Sequence, residues 1–390
     1  MNPWQGLKGL PRPLWILALA TLINRAGTMA LPFLVLYQVR GLGLSPAKAG
    51  LSLAVYGVAA MVAAPLGGRL SDRVGSVPVM KASLVASGLL LIGLPFVKGW
   101  GPLLVLVALW ALVAEVFRPA NMAVLADLSV PELRKASFSL NRLAINLGMS
   151  IGPAVGGLLA SRSYRALFLV DGFTSLASAA VLALCLVAPA PRNSGDGSAR
   201  SHAAWKDRRF MLYLLASLPV VLVFFQHIGA LPIHLVRGLH YGEAFYGLVF
   251  TLSTLLVVAF EIAINLATAH WSPRRVHILG ALLYGVGYGA TALVASKAGI
   301  LATVVVWTLA EMILLPGMAD FVSHLAPAER RGEYMGLYTL TFGLAFSLGP
   351  WLGVLAYGHL GPVPMWSLCF VFAGLSAILL GRICREPATR

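Results

Sequence analysis

Water cannot be the solvent for most of this chain. Apolar runs of about 20 residues, the length a helix needs to cross the hydrocarbon core of a bilayer, follow one another with only short interruptions. Twelve spans are predicted, over 13–37, 46–68, 78–97, 102–126, 136–160, 165–188, 210–235, 244–268, 276–295, 300–323, 333–357 and 363–383. Charged residues make up 11% of the 390, against about 25% in soluble domains, so the surface of these runs must face lipid. Ten-residue segments of alternating polarity, which would mark a barrel, are absent. The fold class is an all-α membrane protein.

The second half repeats the first. Trp110-Ala111-Leu112-Val113-Ala114-Glu115 returns as Trp307-Thr308-Leu309-Ala310-Glu311, and Gly152-Pro153 returns as Gly349-Pro350, at spacings of 196 or 197 residues. The pattern predicts two pseudo-symmetric six-helix bundles, over 1–189 and 210–390, joined by a polar linker over 190–209. Parallel repeats of this kind build transport sites near the bilayer midplane.

A net charge of +15 invites a nucleic-acid reading, but its distribution argues against one. Of 29 basic residues, 20 fall in one set of alternate loops and 7 in the other, with Arg25 and Arg118 inside spans. The positive-inside rule then places both termini and the linker in the cytoplasm of a bacterial-type plasma (inner) membrane. Cys185, Cys369 and Cys384 lack metal-ligand spacing and read as packing residues. The first apolar run is too long for a signal-peptide core and is kept as a mature helix.

Two motifs carry more specific information. Gly67-Gly68-Arg69-Leu70-Ser71-Asp72-Arg73-Val74-Gly75 joins the second and third spans. Its glycines permit a tight turn and close helix approach, and Arg73 has Asp127, at the end of span four, as a candidate partner. Gly148-Met149-Ser150-Ile151-Gly152-Pro153-Ala154-Val155-Gly156-Gly157 sets glycines four apart, which lets helices pack backbone to backbone, while Pro153 favours a bend.

Together with the spans and the repeat, these runs resemble the major facilitator superfamily, in particular its twelve-helix drug:proton antiporters. Gly68, Leu70, Asp72, Arg73 and Gly75 match the G-x-L-a-D-r-x-G pattern of motif A, although Ser76 and Val77 replace its later basic pair. Gly148, Gly152, Pro153, Gly156 and Gly157 match motif C, typical of antiporters. The resemblance implies that Asp72 and Arg73 latch the cytoplasmic side and that spans one, four, seven and ten surround the transport cavity. Arg118 is placed like the arginine of motif B, whose surrounding pattern is poorly kept.

Polar groups at mid-depth are costly and tend to serve function. Most fall on those same spans: Arg25 in span one, Glu115 and Arg118 in span four, Gln226 and His227 in span seven, and Glu311 in span ten, with Glu261 in span eight. Glu311, with no basic residue within a turn on its own helix, is the first candidate for proton uptake, with Glu115 and Glu261 behind it. An ion pair with Arg25 is its rival role. Glu115 and Arg118, three residues apart, also suit a structural pair. Arg25, Arg118, Gln226, His227 and Trp307 are candidate substrate contacts, Tyr284 and Tyr288 suit an apolar pocket, and Trp15, Trp100 and Trp366 read as interface anchors. Asp171 reads as an outer-face pair with Arg165 or as a cap.

The expected function is proton-coupled export of small amphipathic or lipophilic compounds by alternating access. The alternatives are uptake or facilitated transport of a small metabolite, and export of an anionic lipid or siderophore. Neither G-x-S-x-G, H-E-x-x-H nor a nucleotide-binding loop is present, so the chain does not read as an enzyme. The expected partners are a small-molecule substrate, protons and the bilayer. No metal, cofactor or nucleic acid is expected, the proton gradient supplies the driving force, and the chain reads as a monomer.

Overall fold

The computed structural model describes residues 9–130, 133–186, 204–327 and 330–384, and among these every regular element is helical. Among the described residues twelve long helices run in order: α1 Arg12–Gly41, α2 Pro46–Val74, α3 Ser76–Phe96, α4 Trp100–Leu128, α5 Arg134–Arg162, α6 Tyr164–Cys185, α7 Arg208–Gly238, α8 Glu243–Thr268, α9 Pro273–Ala290, α10 Lys297–Leu325, α11 Arg331–Leu360 and α12 Pro362–Ile383. Eleven are long and apolar enough to cross a membrane. α9 is the exception, because Arg274, Arg275 and His277 crowd its first turns and glycines fill much of the rest. Of the predicted linker, 190–203 lies outside the described residues, and Ala204–Lys206 forms a short 3-10 turn before α7.

The chain divides into two compact units. One comprises Met1–Leu44, Val55–Gly197 and Gly242–Thr254; the other comprises Ser45–Ala54, Ser198–Tyr241 and Leu255–Arg390. α2 and α8 therefore each give their first turns to one unit and the remainder to the other. In the first unit α1 packs on α5 and α6, and α3 packs on α6. Leu14, Leu17, Met80, Leu84, Phe117, Val124 and Leu182 share a buried core there. In the second unit α9 lies against α10 and α12, and α7 against α11 and α12.

The 197-residue repeat survives in backbone detail. α1 ends in a wide π-helical turn over Tyr37–Gly41, and α7 ends in the same turn over His234–Gly238. Leu44 N donates to Gln38 O at 2.9 Å, and Tyr241 N donates to Leu235 O at 2.9 Å. The chain then needs a left-handed residue, which is Gly43 at φ 67° in one half and His240 at φ 57° in the other. Glycine adopts that conformation freely, whereas a side chain makes it costly. One helix–helix bond repeats too: Thr251 Oγ1 donates to Ser150 O at 3.1 Å in the first unit, and Ser347 Oγ donates to Ala54 O at 2.9 Å in the second.

Both α1 and α7 are interrupted. α1 is helical over Arg12–Gly27, opens at Thr28 and Met29, and resumes over Ala30–Leu36. α7 is helical to Phe224, tightens over Phe225–His227, and resumes over Ala230–Ile233 after Gly229. A break inside an apolar span strands backbone groups that lipid cannot satisfy. In α1 the remedy is Asp171 on α6, whose Oδ2 accepts from Met29 N at 3.0 Å and Ala30 N at 2.8 Å. Asp171 is buried and acts as a cap on a neighbouring helix, and the outer-face pair with Arg165 is not formed; Arg165 lies over the Phe96 ring at 4.4 Å.

Candidate functional site

Each unit holds one cluster of polar and aromatic groups at mid-span. In the first, α4 presents Glu115 and Arg118. Tyr56 on α2 donates its hydroxyl to Glu115 Oε1 at 2.9 Å, and Arg118 Nη1 stands 3.6 Å from Glu115 Oε2. Both oxygens of the carboxylate are therefore engaged, and the structural pair expected between Glu115 and Arg118 is present. Trp110 meets Tyr56 at a ring separation of 5.0 Å and donates its indole N–H to Ser87 Oγ at 3.2 Å, which fixes the tyrosine from behind. Arg25, on the last turn before the α1 break, feels Arg118, Glu115 and Tyr56 electrostatically. Its Nε is buried without a partner among the described residues.

The glycines of α5 explain how Arg25 is seated. A side-chain carbon at Gly148 would lie 2.8 Å from Ala26 N, and one at Gly152 would lie 3.1 Å from both Arg25 O and Ala26 O. Gly156 faces Met29 and Phe33 in the same way. The stripe lets α5 lie flush against both sides of the α1 break, so Arg25 and Asp171 belong to one closely packed corner of the first unit.

The second unit holds Glu311 on α10, partly buried, with Glu261 on α8 as its charged neighbour. Two neighbouring acids repel each other when both are ionised. No basic residue lies within ion-pair distance of Glu311 among the described residues. Trp307 sits one turn before Glu311 and starts an aromatic stack. Tyr288 is parallel to Trp307 at 5.5 Å, to Trp366 at 6.2 Å and to Tyr284 at 6.2 Å. Tyr288 donates to Phe224 O at 3.1 Å, beside the α7 break. The buried Tyr284 hydroxyl is without a partner among the described residues and feels the charge of Glu311.

The fold and the repeat therefore frame two mid-span polar clusters, and the sequence as a whole matches one family model. The Major Facilitator Superfamily model matches residues 17–242 and again 214–385. The chain belongs to the Major Facilitator Superfamily. It is a multi-pass membrane protein of a transporter family. It is 26% identical to the MFS-type transporter YqjV of Bacillus subtilis over 97% of this chain and 93% of that one. It is 23% identical to the Na(+), Li(+), K(+)/H(+) antiporter of Planococcus maritimus, over 84% of this chain and 85% of that one. Multidrug resistance protein MdtG of Enterobacter lignolyticus is 33% identical, over 45% of this chain and 43% of that one. The fold matches a crystal structure of the peptide transporter POT with a TM-score of 0.82 at 18% identity, over 96% of both chains.

The superfamily motifs take specific places. α2 stays helical through Val74, and Gly75, at φ 89°, is the single residue that turns the chain into α3. Close approach belongs to Gly67, where a side-chain carbon would meet Val116 O at 3.1 Å, while Gly68 faces open space. Asp72, Arg73 and Asp127 are exposed. The expected Arg73–Asp127 pair is not formed among the described residues.

Other expected contacts are placed differently from their sequence reading. Gln226 is buried and donates to Leu222 O at 3.0 Å and Gly349 O at 2.7 Å, so its amide N–H groups tie α7 to α11. His227 donates from Nδ1 to Phe224 O at 2.6 Å and stacks on Trp307 at 6.5 Å. Trp366 is fully buried against Tyr288 and His234 and is no interface anchor, because its ring completes the stack between α9 and α12. Tyr56 gives no local signal in the sequence, and Asp171, one of whose expected roles is a cap, gives none for the α1 break that it serves. Their partners lie 59 residues away in one case and 141 to 142 in the other.

Proposed function

We propose that this transporter is a proton-coupled exporter of small amphipathic or lipophilic compounds that works by alternating access. The observation that carries this reading is the acid pair Glu311 and Glu261 beside the Trp307–Tyr288–Trp366 stack. A transporter shifts between conformations only if its ligands bind them unequally. A carboxyl that holds its proton in one state and releases it in the other supplies that inequality. Flat aromatic faces beside it offer contacts to apolar molecules with little demand for hydrogen-bond matching. In this reading Glu311 carries the proton, Glu261 tunes it by repulsion, and Trp307 lines the path of the substrate. The antiporter and multidrug-resistance names among the relatives support it, the latter over less than half of the chain.

Orientation follows the charge bias of the loops, with both termini in the cytoplasm. The direction of transport is tested in proteoliposomes loaded with a lipophilic dye, with the pH gradient imposed first one way and then the other. Export by exchange requires that dye and protons move oppositely under both gradients. Movement of dye and protons in the same direction contradicts it.

A further inference from the structure

The charge balance of the first unit's cluster is uneven. Arg25 and Arg118 bring two positive charges to mid-span, and among the described residues Glu115 is the acid that acts on both. That acid is already committed, one oxygen to the Tyr56 hydroxyl and the other to Arg118. Arg25 is left without an ion-pair partner among the described residues, and its buried Nε has no acceptor. A guanidinium carries five N–H donors and stays charged, so an unmatched one inside a span is expensive unless something pairs with it.

The surroundings hold Arg25 in place and do not neutralise it. Gly148 and Gly152 bring the α5 backbone against residues 25 and 26, and Asp171 caps the break at Met29 and Ala30, about one turn of chain further on. The Arg118 side chain is 69% exposed although it stands in mid-span, while Glu115 is only 20% exposed. A charged group that open at this depth faces water or a ligand, because lipid would not tolerate it. The site therefore offers one guanidinium on a closely packed backbone, a second that is accessible, and an aromatic wall from Tyr56 and Trp110.

We infer that Arg25, with Arg118 beside it, binds an acidic head group, so that the amphipathic substrates of this transporter include organic anions bearing a carboxylate or phosphate. Planar guanidinium groups match both heads through paired N–H donors. The aromatic wall accommodates the apolar part next to the head. This assignment rests on the chain's being an exporter of amphipathic compounds and names which class of them it takes.

The test is equilibrium binding to purified full-length protein in phosphatidylcholine nanodiscs with no pH gradient. The probes are octyl phosphate, octanoate, octyltrimethylammonium, octyl glucoside and inorganic phosphate. Octyl phosphate and octanoate are expected to bind more tightly than the cationic and neutral probes, and inorganic phosphate more weakly than octyl phosphate. Arg25→Gln is expected to weaken octyl phosphate about tenfold or more, the loss typical of a charge-assisted contact. Arg25→Lys, which keeps the charge but loses the paired N–H donors, should retain only part of the affinity and bind octyl phosphate more tightly than Arg25→Gln does, and octyltrimethylammonium should respond to neither variant.

Octyl phosphate affinity that is unchanged in a folded Arg25→Gln protein overturns the assignment, as does tighter binding of the cation than of the anions. Displacement of octyl phosphate by added phosphatidylglycerol gives the site to a membrane lipid and overturns its role in substrate recognition. Because no gradient is used, the result is independent of proton coupling. Gradient-driven export that depends on Glu311, alongside anion binding indifferent to Arg25, would remove the anion site and leave the proposed function standing.

Discussion

Asp171 Oδ2 accepts the backbone N–H of Ala30 at 2.8 Å, across 141 residues of sequence, and takes that of Met29 as well. A buried acid here does the work that a serine or aspartate does at an ordinary helix N-terminus. It holds open a break in α1 that places Arg25 on one side and the π-helical turn on the other.

Removing that cap leaves two buried N–H groups without an acceptor. Asp171→Ala is expected to cost about 2–5 kcal/mol of unfolding free energy, and Asp171→Asn, which keeps an acceptor, about 1 kcal/mol. Denaturant unfolding in detergent micelles measures both. A loss for the alanine variant no larger than for asparagine would show that the carboxylate is not holding the break.

The two glycine motifs should respond with opposite sign. Gly148 has no room for a side chain against Ala26 N, whereas Gly68 faces open space within helix α2. Gly148→Ala is expected to destabilise by about 1–3 kcal/mol through overpacking. Gly68→Ala should stabilise by about 0.5–1 kcal/mol, because alanine loses less freedom in a helix. Thermal melts of the two purified variants check the contrast.

The repeat makes a further pair. Gly43 and His240 occupy the same left-handed position after the same turn. His240→Gly is expected to stabilise by about 0.5–1 kcal/mol and Gly43→Ala to destabilise by about 1 kcal/mol. If His240→Gly lowers the melting temperature, the histidine makes a contact that outweighs its backbone strain.

Glu243 begins α8 yet is held by the first unit, through Arg40 Nη1 at 3.0 Å and the Tyr164 hydroxyl at 2.8 Å. The Arg40 side chain is 47% exposed and that of Glu243 9%, so solvent screens much of the attraction and the coupling is expected to be about 0.5–1 kcal/mol. A double-mutant cycle over Arg40→Gln and Glu243→Gln measures it. Additive losses would mean that the ion pair contributes nothing and that Tyr164 alone holds the glutamate.

Much of this architecture was legible in the sequence. The spans follow from apolar run length, and the repeat follows from Trp110 and Trp307, Glu115 and Glu311, Pro153 and Pro350. The breaks in α1 and α7 were not, because the groups that rescue them are distant: Asp171 for Met29, and the Tyr288 hydroxyl on Phe224 O. The glycine stripe of α5 announced close packing, but nothing local named the carbonyls of Arg25 and Ala26 as what it packs against. Glu261 and Glu311 each stood out as acids in apolar helices. Their proximity depends on how α8 and α10 lie, which no periodicity encodes. Trp366 was misjudged because an aromatic near a span end has the same local signature whether it meets lipid head groups or a buried stack.

The most direct measurement is dye efflux from proteoliposomes carrying Glu311→Gln, driven by an imposed pH gradient and compared with dye exchange at equilibrium without one. A glutamine fills the same space but cannot release a proton. Gradient-driven efflux should fall to the level of protein-free vesicles while gradient-free exchange continues, the outcome expected if Glu311 is the group through which protons drive the cycle. Gradient-driven efflux at the rate of the unaltered protein would contradict it.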